Sequence, residues 1–197
     1  AIFQCLQARQ GNPVRQLLLT CSGGALRTWD RARMENASVR DVLAHPTWNM
    51  GGKITVDCAT LLNKGLEIIE ARYLFDMPLE RIQVVVHPQS VIHSMIEFED
   101  GAVLAQLGAP DMRVPIGYAM GYPARIPFGG ERLDFARIAS LTFEAPDMER
   151  FPFGGIARTV ETVLARTENA SVREIGDVYE ADRRARFMAR DVLRALV

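Results

Sequence analysis

The stretch HPTWNMGGKITVDCATLLNKGLE, residues 45–67, decides how the chain is read. It runs from a glycine-containing loop through the β-branched run from Lys53 to Val56, which reads as a strand, into an apolar-periodic segment. Leu62, Leu66, Ile69 and Tyr73 recur at four, three and four residues, and that spacing predicts a helix from Cys58 onward. Loop, strand and helix in succession point to an α/β chain. On that helix Asn63 and Glu67 stand one turn apart, and Lys64 and Glu67 are neighbours as well. A helix start carries unpaired N–H groups and partial positive charge. An anion such as a phosphate has a seat there, with Lys64 as a point charge beside it. Glu67, a turn deeper, is placed to ligate a hard cation. The plainer alternative is a solvated Lys–Glu pair of small energetic weight.

Working outward, residues 16–20 (QLLLT) form a short apolar strand that runs straight into CSGGALR. Backbone N–H groups at such a turn can curl around an anion, with the Ser22 hydroxyl as a further donor. A tight turn with no ligand is the other reading of the two glycines. ENASVR occurs at residues 35–40 and again at 168–173, each time ahead of a helix. In each copy a serine N-cap is followed three residues later by an acid, Asp41 or Glu174. The helix is expected to end in Ala44-His45-Pro46, stopped by Pro46, and residues 47–52 form a loop holding Trp48, Met50 and Gly51. That loop suits a flap over a ligand, or else Trp48 plugs a core edge.

Beyond the central helix, residues 82–86 read as a buried strand. Residues 91–98 alternate, with Ser90, Ile92, Ser94, Ile96 and Phe98 on one face and His93 and Met95 on the other. A turn at Glu99-Asp100-Gly101 returns the chain along residues 102–107. His93 reads as a packed histidine or a pocket wall. Pro115 opens a helix to Tyr122. Four prolines and a glycine pair then mark an arm, residues 123–152, with one short strand at 141–144. The tail is helical, at 156–166 and again to Leu196, where Val178, Ala181, Ala185, Met188 and Val192 make an apolar stripe.

Composition narrows the classes. The chain has 197 residues, 48% hydrophobic, with net charge −1, so no field for nucleic acid or a membrane surface is implied. Only Lys53 and Lys64 are lysines among 23 basic residues. Cys5, Cys21 and Cys58 are odd in number and show no C-x-x-C spacing, which fits a reduced, cytoplasmic setting. No apolar run approaches a membrane span. AIFQCLQ reads as the end of a helix already under way, so a fragment is expected.

LLLTCSGGALR, HPTWNMGGKITVDCATLLNKGLE, HPQSVIHSM, GAVLAQLGAPDMRVPI and SLTFEAPDMERFP together resemble the 1-deoxy-D-xylulose 5-phosphate reductoisomerases. The resemblance implies a central mixed-sheet catalytic and dimerisation domain over residues 1–122, a linker arm over 123–152 and a C-terminal helical remnant over 153–197. It implies a homodimer, and a metal-assisted rearrangement of 1-deoxy-D-xylulose 5-phosphate followed by reduction with NADPH, in the non-mevalonate route to isoprenoids. By position, Ser22, His45, Asn63 and Lys64 are implied to hold the substrate's phosphate and hydroxyls, with Cys58 where the family has a phosphate-binding serine. Glu67 is implied to be one of three acidic ligands of Mg²⁺ or Mn²⁺. Trp48 and Met50 are implied to close over the substrate, Gly51 to touch NADPH, and His93 and Met112 to line the pocket. The chain departs from the family in three places. No G-x-G-x-x-G follows a strand. The family's Asp-Ser-Glu metal motif falls just upstream of Ala1. A helical segment with an Ala-Asn-Glu stretch is missing after Pro152. A non-catalytic remnant that dimerises or binds phosphosugar is the alternative.

Overall fold

The computed structural model describes residues 1–167 and 172–196. A first short helix, α1 (Ile2–Leu6), leads into the central strand β1 (Val14–Cys21). Two five-residue helices follow, α2 (Arg31–Glu35) and α3 (Val39–Leu43). Ser38 caps α3 through a capping box with Asp41, as the first ENASVR copy predicts. Residues 168–171 of the second copy lie outside the described residues.

The stretch 45–67 folds differently from its expected strand-then-helix course. Lys53 to Val56 is helical, within α4 (Gly52–Ala59), and α5 (Leu62–Leu74) begins only after a break. Local bonds outweigh the β-branched composition here. The Thr55 hydroxyl donates back to the Gly51 carbonyl, and Lys53 pairs with Asp57 one turn on. Leu61 makes the break, in the left-handed region at φ 58° and buried. The break also rotates α5 away from the expected stripe. Leu62, Leu66 and Tyr73 are exposed, while Lys64, Gly65, Ile68 and Ala71 face inward.

The chain then returns to the sheet as β2 (Ile82–Val86), β3 (Ile92–Phe98) and β4 (Val103–Leu107). The sheet order is β2-β1-β3-β4. β1 runs parallel to β2 and antiparallel to β3, and β3 pairs antiparallel with β4. The mixed sheet is the α/β architecture expected. Alternation along β3 holds, with Ile92, Ser94 and Ile96 buried. Leu17, Leu19, Ile82, Val84 and Ile96 build the core against Ile68 and Ala71 of α5.

After β4 come α6 (Arg113–Gly121), α7 (Gly154–Arg166) and α8 (Ile175–Leu196). The strand expected at 141–144 is reduced to a single bridge, Val86 to Glu144, because the arm touches the sheet edge at that one register position. On α8 the expected stripe is only partly covered. Val192 is buried, while Val178 and Ala181 are exposed, since α8 packs chiefly against α7 among the described elements. No helix among the described residues is long and apolar enough to cross a membrane.

Candidate functional site

The carboxyl ends of the parallel pair β1 and β2 open into a cavity of about 780 Å³. Crevices at that end of parallel strands are where open α/β sheets take ligands. Ser22, His45, Trp48, Met50, Cys58, Asn63, Lys64, Glu67, His93 and Met112 all line it. Gly51 does not; it is exposed at the start of α4, next to Met50.

Lys64 settles the question of the solvated pair. It is buried, at 6% exposure. Its Nζ donates to the Thr20 carbonyl at 2.7 Å and to Glu67 Oε2 at 2.5 Å. An ammonium has three protons, so one remains for the cavity. Asn63 Nδ2 donates to Glu67 Oε1 at 2.6 Å, which leaves one amide proton and Oδ1 free. Burying the ammonium in this way is tolerable because a carboxylate and a carbonyl meet it.

Ser22 and His45 form the opposite wall. The backbone N–H groups of Thr47 and Trp48 both donate to His45 Nδ1, at 3.1 and 2.9 Å. The ring proton therefore sits on Nε2, from where it donates to Ser22 Oγ at 3.0 Å. Gly24 N–H donates to the same oxygen at 3.3 Å. With two donors already on Oγ, the hydroxyl's own proton is left to donate to an incoming acceptor. Burial holds the His45 imidazole below its ordinary pKa, so the ring is neutral near pH 7.

Sequence reasoning overlooked three contributors. Thr20 anchors Lys64 through its carbonyl. Gly24, at φ 72°, lies so close to Cys58 that a Cβ would sit 2.2 Å from that residue's carbonyl oxygen. His87 is wholly buried in the lining of the cavity. The glycine pair after β1 was the visible signal for the second, and the His87-Pro88 break for the third. Burial raises the pKa of Cys21 and of Cys58, so both are neutral thiols. His93 donates from Nε2 to the Ser90 carbonyl at 2.9 Å, and its ring stands 6.1 Å from that of Trp48. Burial lowers its pKa too.

Glu67 is the carboxylate nearest the Lys64 and Asn63 donors, and both its oxygens are engaged. Glu70 and Asp111 also line the cavity, but Asp111 is taken by Arg113. Among the described residues no three His, Cys, Asp or Glu side chains come together. Tight divalent sites use several oxygen ligands. The residues present thus make at most one corner of such a site and do not fit a metal ion by themselves.

Taken together, these groups give an α/β fold whose cavity is lined by neutral and cationic donors, with Glu67 bonded to two of them and Glu70 and Asp111 also in the lining. Comparison with known proteins places the chain in a family. Residues 1–75 match the family model described as 1-deoxy-D-xylulose 5-phosphate reductoisomerase C-terminal domain, and residues 107–157 match the DXP reductoisomerase C-terminal domain. The chain belongs to the 1-deoxy-D-xylulose 5-phosphate reductoisomerase family. It is 58% identical over 158 residues to the reductoisomerase of Caulobacter vibrioides, covering 80% of this chain and 40% of that protein. With that of Citrifermentans bemidjiense it shares 42% over 229 positions, covering 98% and 60%. That alignment is longer than this chain, so the relative carries residues with no counterpart here. The Zymomonas mobilis reductoisomerase, solved in complex with NADPH, superposes with a TM-score of 0.73 at 39% identity, over 96% of this chain and 58% of that one. A DOX-P reductoisomerase with NADPH, fosmidomycin and magnesium gives 0.76 at 35%, over 99% and 60%. The chain thus spans about 40 to 60% of the relatives it matches.

Proposed function

We propose that this chain is the substrate-holding part of a reductoisomerase that converts 1-deoxy-D-xylulose 5-phosphate to 2-C-methyl-D-erythritol 4-phosphate with NADPH and Mg²⁺ or Mn²⁺. Residues 1–122 act as its catalytic and dimerising unit, 123–152 as the arm and 153–197 as a helical remnant. One observation carries the proposal: Lys64, Asn63 and Ser22, each with a donor proton beyond its recorded bonds, line a single cavity. A sugar phosphate has the charge and acceptor count to take all three. In this role Lys64 and Ser22 bind the phosphate, and Asn63 offers Oδ1 to a hydroxyl. His45 keeps Ser22 oriented through Nε2–H, with Cys58 beside them as a weak donor. Trp48 and Met50 cover the sugar and exclude water. Gly51 and Met112 lie on the side assigned to the nicotinamide nucleotide. Glu67 contributes one ligand to a divalent ion.

The test is calorimetry with 1-deoxy-D-xylulose 5-phosphate. Saturable binding that Lys64→Met abolishes is expected; no saturable heat with the wild-type chain would sink the proposal. A homodimer in the cytoplasm completes it, joined through the β4 edge, where Val103 and Leu104 are exposed. Sedimentation at twice the mass of the chain is the expected result. A second reading is favoured by the incomplete metal corner: a remnant that binds the phosphosugar and dimerises without turnover. Metal-dependent NADPH oxidation by the intact parent protein separates the two.

A further inference from the structure

His87 is wholly buried, yet it takes no part in the ligand-holding set. Its Nε2 accepts the Val91 N–H at 3.2 Å, so Nδ1 carries the proton and donates it to the Thr142 carbonyl at 2.9 Å. Its ring stacks on Phe143 at 5.1 Å. Thr142 and Phe143 belong to the arm, more than fifty residues further along the chain. Gln89 fastens the same point twice: its amide donates to Thr142 Oγ1 at 2.8 Å and accepts from Thr142 N–H at 3.3 Å.

The turn that His87 opens touches three walls of the cavity. His87 N–H donates to the Cys21 carbonyl at 2.7 Å, one residue before Ser22. The Pro88 carbonyl accepts the Thr47 hydroxyl at 3.4 Å, at the foot of the Trp48 loop. The Ser90 carbonyl accepts His93 Nε2–H. Ser90 itself is held at φ 50°, a conformation a non-glycine residue keeps only when its surroundings impose it.

We propose that His87 is a positioning residue: by seating the arm on the sheet it fixes the turn 87–90, and through that turn the orientation of His93 and the Trp48 loop. What the cavity then holds rests on the phosphosugar reading above. The substitution His87→Phe keeps the ring and its stacking but removes both hydrogen bonds. Gln89→Ala and Phe143→Ala loosen the arm from outside the cavity and keep the question open to experiment if His87→Phe does not fold.

The chain has three histidines, so ¹⁵N-imidazole spectra resolve each ring. In all three variants the His93 signals should lose their Nε2–H tautomer pattern, and those of His45, whose Nδ1 takes the Thr47 and Trp48 N–H groups, should shift with the loop. Affinity for 1-deoxy-D-xylulose 5-phosphate should fall about tenfold in His87→Phe and about threefold in each arm variant, the scale of one or two lost hydrogen bonds. His87→Asn, whose amide can still reach Thr142, should recover most of the loss. Unchanged His93 signals in both arm variants, with faster amide exchange at Thr142 and Glu144 proving the arm loose, would overturn the proposal. A wild-type chain that binds no sugar phosphate would instead sink the site reading and leave the tautomer test of His87 standing.

Discussion

Cys58 and His45 show how much one atom decides in this cavity. The family resemblance implies a serine at the position of Cys58, whose thiol is neutral and lines the same cavity as Lys64 and Asn63. A thiol donates weakly and a hydroxyl well. We expect Cys58→Ser to tighten 1-deoxy-D-xylulose 5-phosphate binding about fivefold, one modest hydrogen bond's worth. Calorimetry on both proteins decides it, and equal affinities would mean that this side chain does not face the phosphate. His45 carries a pH dependence. Burial lowers its pKa in the folded chain, so the unfolded chain binds that proton more tightly. Stability from this group is complete above its unfolded value of about 6.5 and is lost as pH falls below it. Protonation also removes the Nδ1 lone pair that holds the Thr47 and Trp48 N–H groups. His93, lowered by burial as well, pushes the same way. In a Trp29→Phe background, Trp48 emission should shift to the red between pH 7 and 5, together with a fall in the unfolding midpoint. Emission that ignores pH would show the loop held by something else.

At the scale of elements, the cavity depends on how tightly the turn after β1 packs against the α4–α5 junction. Gly24 makes that approach possible, with φ 72° and no room for a Cβ beside the Cys58 carbonyl. Gly24→Ala should cost about 3 kcal/mol or more, strain and clash together. Gly11→Ala shares the positive φ but meets open space, so it should cost only about 1 kcal/mol. Urea unfolding of the two variants makes the comparison, and equal costs would refute the packing claim. The elements were legible in the sequence to unequal degrees, and for physical reasons. β1, β2 and β3 declare themselves because their buried faces are written in Leu, Ile and Val over short runs bounded by turns. α4 does not, because Ile54, Thr55 and Val56 carry strand propensity, and the bonds from Thr55 and Lys53 that overrule it are visible only once formed. The inward face of α5 was misphased because Leu61 adopts a left-handed conformation that nothing in its side chain announces. The cavity residues were nonetheless legible as a set through the family resemblance. Thr20 was not, since it acts through a backbone carbonyl that every residue possesses.

For the whole molecule, the deciding fact is an imbalance within the cavity: its hydrogen-bond donors are gathered, and its metal-ligating side chains are not, among the described residues. The anion end is complete on geometry: a buried ammonium, an amide and a hydroxyl, each with a proton to spare. The cation end is one carboxylate whose oxygens are both occupied. Binding a divalent ion there means displacing Asn63 or Lys64, or sharing lone pairs with them, and among the described residues Glu67 is not gathered with two further metal-ligating side chains to offset that cost. The chain also covers no more than 60% of the relatives quoted. These 197 residues by themselves should therefore bind 1-deoxy-D-xylulose 5-phosphate measurably, bind Mg²⁺ only in the millimolar range or weaker, about where single-carboxylate sites fall, and leave NADPH unoxidised. Calorimetry with each ligand and absorbance at the NADPH band test all three statements on one preparation. The informative failure is specific. Micromolar Mg²⁺ binding that disappears in Glu67→Gln would show that the substrate-free cavity already gathers a full ligand set, and the division into a finished anion end and an open cation end would have to be abandoned.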